Sequence, residues 1–378
     1  MAIGIDASRA FQAAPTGIGV YSTQVISRLI PDPPAPLWLY LNSRRPPEAA
    51  PPLAAGSEFR CLRLPRGWTA VRLRLELQRR PPSLLWVPAY RLPGGALPRA
   101  VVTVHGVEHR FAASTYTAGE RRAMERFVAD TLRRAARVIA PSETTKADLV
   151  HLYGAAPDQV VVIPHGVAPE FVPLSEEVSL PVLEELGVTR PYFLVVGAHH
   201  PRKQVPFLLD QFAQAFPSPS HSGPQLVVTN AEAETAQALQ AQAARLGLPR
   251  RLRTLPHLGG SRLAALYSAA VAACVPSLYE GFGLPALEAM ACGTAVIANQ
   301  AGGVQELARG AAELIAPGDA HGWAQGLRRL LDDPAQRAHL SKLGRARAQD
   351  FSWERSASAH RELLAAELAL AQESAAPG

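Results

Sequence analysis

The amino-acid sequence predicts an α/β protein built from two consecutive doubly wound parallel sheets. Three observations carry that prediction. Short, near-continuous apolar runs alternate with helix-length amphipathic runs along most of the chain, the pattern of parallel strands covered on both faces. The alternation lapses between residues 168 and 190 and then restarts. The length, 378 residues, favours two domains over one. The expected divisions are a first Rossmann-like domain at 1–170, a linker at 171–190, a second Rossmann-like domain at 191–350 and a final helix at 351–378. Ligands of such sheets bind outside the carboxyl ends of the strands, so the two domains are expected to face a central cleft.

In order, Ala2 to Ile5 reads as a strand, followed by Thr16-Gly17-Ile18-Gly19-Val20-Tyr21 and a helix to about Leu29. Pro31 to Pro36 stops it. Leu37 to Leu41 and Phe59 to Leu64 read as strands on either side of a proline-rich loop. Gly67 to Arg80 alternates Trp68, Val71, Leu73, Leu75 and Leu77 with Arg72, Arg74, Arg79 and Arg80. Its straight-chain residues and the following Pro81-Pro82 favour a basic amphipathic helix. Leu84 to Val87 and Ala100 to Val104 are strands. Thr117 to Ala136 is an arginine-rich helix, Val138 to Ala140 a strand, and Ser142 a helix cap. Val160 to Ile163 closes the first series. The second runs strand Phe193–Val196, helix 204–215, strand Leu226–Thr229, helix 231–246, strand Leu252–Leu255, helix Ser261–Ala269 and strand Val271–Cys274. After the 276–294 stretch come strand Ala295–Ala298 and helices at 303–308, 319–333, 334–349 and 352–372.

Composition narrows the function classes. The chain is 48% hydrophobic and 19% charged, hence globular. Its formal net charge of +6, mostly from arginine, suits anionic partners such as phosphates or anionic lipid headgroups. Aromatic residues are 6% and do not interleave with basic ones, so no nucleic-acid partner is expected. Cys61, Cys274 and Cys292 form no CxxC pair, and His109, His199, His200 and His257 lack ligand spacing, so no metal site is expected. No apolar run approaches the ~18 residues of a membrane span, and the amino-terminal stretch lacks a signal-peptide pattern. A cytoplasmic location is expected, peripheral at the inner face of the membrane if Gly67–Arg80 lies on an anionic bilayer.

The most informative stretch is Pro276 to Thr294. Glu280 precedes a turn, Gly281-Phe282-Gly283, and Leu284-Pro285 opens a short helix that carries Glu288 and ends at Gly293. The free N–H groups and positive dipole end of that helix form an anion site. Eight helical residues would place the two acids about 12 Å apart, wider than the roughly 5–9.5 Å of a glycosidase pair. An extended ligand with hydroxyls at both ends and phosphates between fits better; the bland alternative is a strand-to-helix turn with two solvated acids. Gly17 and Gly19 start a dinucleotide-like fingerprint, but the third glycine position is Ser22 and no ribose-binding acid follows, so a nicotinamide cofactor is not expected. Close approach to a phosphate remains open for them. His105 follows the strand Val101–Val104, and Arg202-Lys203 follow Phe193–Val196, both at carboxyl ends. A guanidinium and an ammonium suit a leaving diphosphate.

These pieces resemble the retaining GT-B glycosyltransferases of family 4. Glu280 through Gly293 is similar to the family's E-x7-E motif. Ile3-Gly4-Ile5-Asp6-Ala7 with Thr16–Tyr21 resembles its opening strand and glycine loop, and Val104-His105 its histidine-bearing loop. Ala140-Pro141-Ser142-Glu143 and Val162–Val167 resemble the end of its acceptor domain. Val196-Gly197 with Pro201-Arg202-Lys203 resembles the phosphate-binding start of its donor domain, Ala301–Glu306 its GG-x-x-E step, and the helix from Ser352 the one that crosses back to the first domain. Two departures stand out: Ala198 where many relatives have arginine, and Gly106 where an aspartate is usual.

The resemblance implies an acceptor-binding first domain and a donor-binding second one. It implies that Glu280 contacts the donor sugar, Glu288 the ribose, and the amides of Phe282, Gly283 and Leu284, beside Gly281 and Gly197, the sugar and diphosphate. Arg202 and Lys203 would neutralise the leaving group without a metal, His105 would face the donor sugar, and Gly17 and Gly19 would allow close approach. It implies no cofactor beyond the donor, a nucleoside diphosphate sugar with GDP-mannose favoured over UDP-glucose and dTDP-rhamnose. The acceptor would be a glycan or lipid-linked molecule in bacterial cell-surface polysaccharide synthesis, and the reaction retaining. A sugar-nucleotide epimerase of the same fold would instead convert donor without acceptor, and a non-catalytic binder would show affinity without turnover.

Overall fold

A computed structural model gives the architecture; it describes residues 1–12, 15–89, 91–198, 200–217 and 223–373. His199 therefore lies outside the described residues. The chain forms two compact units. The first comprises Met1–Val107, Tyr116–Gly166 and Ser352–Gly378, the second Glu108–Thr115 and Val167–Phe351.

The first unit holds a parallel sheet of seven strands among the described residues: β1 (Ile3–Asp6), β2 (Leu37–Leu41), β3 (Glu58–Cys61), β4 (Leu84–Val87), β5 (Arg99–Thr103), β6 (Arg137–Ala140) and β7 (Val160–Val162). Their order is β3-β2-β1-β4-β5-β6-β7. Ile3, Ile5, Leu84, Leu85, Val101 and Val102 are fully buried, as continuous apolar strands covered on both faces require. The order reverses direction between β1 and β4, the topological switch point where such sheets bind ligands.

Gly17 and Gly19 lie in the first turn of helix Gly17–Leu29 rather than in a loop before it, because Thr16 caps that helix and accepts from the Gly19 amide at 3.4 Å. The Gly67–Arg80 segment is helical but broken in two. A widened π-type turn, Trp68–Leu73, leads into helix Arg74–Arg79. Trp68, Leu73 and Leu77 are buried, while Val71 and Leu75 are 50% and 42% exposed. The carboxy-terminal helix, Trp353–Glu373, belongs to this unit and packs on helix Gly17–Leu29, β4 and β5. Buried Glu367 anchors it by accepting from Arg99 at 2.6 Å and pairing with Arg137 at 3.1 Å. Gly166 is obligatory where the two ends of this unit meet: a Cβ there would overlap the Trp353 backbone.

The second unit holds six parallel strands among the described residues: β8 (Tyr192–Val196), β9 (Gln225–Thr229), β10 (Leu252–Thr254), β11 (Ala272–Val275), β12 (Val296–Asn299) and β13 (Glu313–Ile315), ordered β10-β9-β8-β11-β12-β13. The short edge strand β13 has no counterpart in the sequence reading. Phe193, Leu208, Phe212, Leu226, Ile297, Trp323 and Leu327 are fully buried in one core. Residues 171–190, expected as a linker, include helix Glu176–Leu186, which packs on helix Gly260–Ala269 within this unit. Here the switch point falls between β8 and β11, so the loops after those two strands are neighbours. Cys274 and Cys292 are core thiols that burial pushes up, Cys292 to about 12.

Candidate active site

The two loops at the second switch point bring together most of the residues that the sequence singles out. After β8 the chain turns at Gly197, whose φ of 87° favours glycine, and passes into the short 3-10 turn Pro201–Lys203. After β11 it runs through Tyr279 and Glu280 to helix Leu284–Ala291. The loops are laced by their backbones: the Leu278 amide donates to the Arg202 carbonyl at 2.9 Å. Lys203 Nζ donates to Glu280 Oε1 at 2.6 Å, Arg202 Nη1 lies 3.0 Å from the same oxygen, and Arg202 Nη1 also donates to the Tyr279 carbonyl at 2.9 Å.

Lys203 and Glu280 are buried, 7% and 9% exposed, so their charges interact in a low-dielectric setting. Burial pushes the Glu280 carboxyl up, but the Arg202 and Lys203 charges outweigh it and hold it at about 2. Burial also pulls the Lys203 ammonium below its ordinary value, with Glu280 opposing. Glu280 is therefore a permanent carboxylate, suited to facing developing positive charge and not to donating a proton.

Glu288 is the opposite case. It is half-buried on helix Leu284–Ala291, and its Oε2 accepts from the Tyr267 hydroxyl at 3.1 Å. Burial, reinforced by the charge of Glu170, raises it to about 8. The two acids of the E-x7-E stretch thus differ in protonation at neutral pH.

Glycines shape the turn between them. Gly283, at φ 107°, is the residue before the helix, and a Cβ there would come within 2.6 Å of Val304. A Cβ on Gly302 would overlap the Glu280 carbonyl oxygen and one on Gly303 the Gly281 carbonyl, while the Gly303 amide donates to the Glu280 carbonyl at 2.6 Å. The Gly302-Gly303 pair therefore grips the backbone that presents Glu280. Phe111, from the 108–115 segment of this unit, stacks on Tyr279 with centroids 4.7 Å apart. Gly281, Phe282 and Leu284 line the turn and helix start. Ala198, where arginine was expected, is buried apolar.

In the first unit, His105 stands two residues beyond β5, and its Nε2–H donates to the Pro88 carbonyl at 2.7 Å. Its ring meets Tyr21 edge-on at 4.8 Å and His165 at 5.5 Å. Gly17 and Gly19 open the helix that carries Tyr21; a Cβ on Gly19 would crowd the Arg9 carbonyl at 3.1 Å. Asp6, which ends β1, is buried, and burial raises its carboxyl despite the Ser8 hydrogen bonds. Sequence reasoning did not single out Asp6, Tyr21, His165, Tyr267 or His360. A strand-end position was the available signal for Asp6 and His165, and Tyr21 and His165 lie in stretches that resemble the family; Tyr267 and His360 carry no local signal.

Two doubly wound parallel sheets, with paired cations and a carboxylate at the switch point of one of them, are the arrangement expected of a glycosyltransferase of GT-B type. Comparison with known proteins agrees. The model of glycosyl transferases group 1 matches residues 183–347, and that of Glycosyltransferase Family 4 matches residues 17–171. The chain is 29% identical over 269 residues to the O-antigen chain mannosyltransferase B of Escherichia coli, covering 71% of this chain and 70% of that one. It is 36% identical over 242 residues to a D-inositol 3-phosphate glycosyltransferase of Salinispora tropica, 58% of this chain and 48% of the relative. In fold it is similar to sucrose-phosphate synthase from Thermosynechococcus elongatus, with a TM-score of 0.78, 24% identity and coverage of 97% and 100%. The chain belongs to the family 4 glycosyltransferases.

Proposed function

We propose that this enzyme is a retaining, metal-independent hexosyltransferase that moves mannose from GDP-mannose to a glycan or lipid-linked acceptor in bacterial cell-surface polysaccharide synthesis, on the cytoplasmic side of the membrane. The observation that carries the reading is the Arg202–Lys203–Glu280 cluster at the β8/β11 switch point. Two cations held beside a strand-end glycine and a helix start suit a diphosphate, and they supply the charge that a metal would otherwise bring. In this reading the diphosphate draws Arg202 and Lys203, and Glu280 remains as the anion nearest the reacting carbon. Glu288 holds the ribose hydroxyls, and the amides of Phe282, Gly283 and Leu284 with Gly197 and Gly281 seat the sugar and phosphates. His105, whose Nε2–H is held by the Pro88 carbonyl, accepts from a sugar hydroxyl through Nδ1, and Gly17 and Gly19 admit the ligand to the first switch point.

Mannosyltransferases among the relatives support mannose as the transferred sugar. Peripheral membrane contact is supported by Val71 and Leu75, exposed apolar residues flanked by Arg72, Arg74, Arg79 and Arg80; no described helix is long and apolar enough to cross a membrane. A thermal-shift panel of GDP-, UDP- and dTDP-sugars tests the donor. GDP-mannose is expected to raise the melting temperature most; a larger shift with UDP-glucose would replace it. Proton NMR of the product's anomeric centre then reads retention directly.

A further inference from the structure

A buried hydrogen-bond chain runs through the first unit, and its polarity can be read from its ends. His360 Nδ1 lies 2.7 Å from the Ser356 carbonyl, which can only accept, so Nδ1 carries the proton. In the neutral ring Nε2 is then an acceptor, and the Tyr21 hydroxyl 2.6 Å away donates to it. The Tyr21 oxygen in turn accepts from the Thr103 hydroxyl at 2.8 Å, and Thr103 accepts from the Trp86 Nε1–H at 3.2 Å. Burial keeps His360 neutral, lowering it to about 4. Tyr21, Trp86, Thr103 and His360 are all fully buried, so each bond is made in a low-dielectric interior, where a broken link is costly.

The chain ends where the His105 ring is held. Trp86 and Pro88 are two apart, as are Thr103 and His105. Thr103 is the last residue of β5 and His105 follows two residues later in the loop, so Thr103 anchors the strand end from which that loop starts. Trp86 fixes the strand end that delivers the Pro88 carbonyl to which His105 Nε2 donates. The Tyr21 ring also packs edge-on against His105 at 4.8 Å.

We propose that His360, on the carboxy-terminal helix, is a positioning residue for His105, acting through Tyr21 and Thr103 on the two strand ends that hold the imidazole. The helix is then part of the functional machinery as well as a tie. The proposal rests on the reading that His105 contacts a sugar hydroxyl.

The test uses Tyr21→Phe, which keeps the ring and removes one hydroxyl, together with His360→Leu and His360→Gln. Gln Oε1 can stand in for Nε2 as acceptor. Turnover is read as nucleoside diphosphate release from whichever of GDP-mannose, UDP-glucose and dTDP-rhamnose gives the largest thermal shift. Tyr21→Phe and His360→Leu are each expected to lower kcat about tenfold, about 1.4 kcal/mol, with donor KM within about twofold. His360→Gln should recover most of the loss, and neither loss should add to that of His105→Ala. Additive losses, or a fall in melting temperature alone, would overturn the proposal. The ring-nitrogen NMR spectrum of His105 decides it without turnover: the Nε2–H tautomer should persist in the wild type and His360→Gln and become mixed in Tyr21→Phe. An unchanged spectrum in Tyr21→Phe sinks the relay. Unchanged turnover in His105→Ala instead removes the role given to His105, leaving the spectrum to judge the relay.

Discussion

The strand-end clusters of the two units are built from different materials. The β8/β11 point gathers charge: buried Glu280 accepts from Lys203 and pairs with Arg202. Around β4 and β5 of the first unit, Tyr21, Thr103, Trp86, His105 and His360 are joined by hydrogen bonds and ring contacts without an ion pair among them, with the buried acid Asp6 at the end of β1. The same sheet geometry therefore serves different ligand chemistry. A charged cluster can exchange an internal carboxylate for a ligand diphosphate at little extra desolvation cost, since the cations are already buried and paired. A chain of neutral hydrogen bonds offers an anion no charge; it fixes the direction of the His105 ring, whose Nδ1 can accept from a hydroxyl. In the proposed reading, the charged site would take the diphosphate of a sugar nucleotide and the other site an uncharged portion of a sugar.

The largest effect that separates the two is expected from Glu280→Gln. Removing the carboxylate leaves Arg202 and Lys203 uncompensated; if Glu280 is the anion nearest the reacting carbon, as proposed, transfer should fall roughly 10²–10³-fold, the scale of one preorganised electrostatic group. Nucleoside diphosphate affinity, measured by calorimetry, should hold or tighten. Loss of affinity in step with activity would assign Glu280 to binding alone.

Acid should separate the two sites next. His360 has its pKa lowered from 6.5 to about 4, so its neutral form stabilises the fold above pH 6.5 and that contribution is lost as pH falls through about 4. Glu280, lowered from 4.5 to about 2, contributes above pH 4.5 and loses that contribution only through about 2. Tyr21, Trp86, Ser356 and His105 face His360 and offer no carboxylate to offset its protonation. Hydrogen exchange between pH 6.5 and 4 should therefore open the amides of Trp353–Glu373 before those of Pro201–Lys203. Simultaneous opening would erase the contrast.

Glu288 gives a smaller, ligand-linked effect. A carboxyl raised to about 8 must release its proton to accept from two ribose hydroxyls. Nucleotide affinity should rise up to about tenfold per pH unit below 8 and level off above it, and Glu288→Gln should flatten the curve. A wild-type curve as flat as the variant's would move the ribose elsewhere. The smallest effect belongs to Tyr267→Phe. It removes a single hydrogen bond to Glu288 at 3.1 Å and should weaken nucleotide binding only a few-fold, the worth of about 1 kcal/mol. A loss beyond about thirtyfold would give Tyr267 a direct contact.

The charged site was largely legible in the sequence and the neutral one was not. Arg202, Lys203, Glu280, Gly283 and Glu288 fall in two short stretches next to strand ends, where residue type and position together signal an anion site. Their protonation was not legible, because it depends on which side chains burial brings together. The grip of Gly302-Gly303 on the Glu280 carbonyl also needed coordinates, although the glycine pair itself stood out. Tyr21 and His360 are 339 residues apart, and each looks like an ordinary helical side chain. Among the elements, near-continuous apolar runs gave the central strands. β13 escaped because it has three residues and starts at Glu313. Thr16, a helix cap in plain view, should have placed Gly17 and Gly19 inside the helix from the start.

In the proposed function, Arg202 and Lys203 hold the diphosphate of a sugar nucleotide. Its most direct test is calorimetric titration of GDP-mannose into the wild type and Lys203→Met. The variant keeps the Arg202–Glu280 pair at 3.0 Å, so it should stay folded by circular dichroism. The account predicts at least a tenfold loss of GDP-mannose affinity in the folded variant. Equal affinity in the two proteins would contradict it.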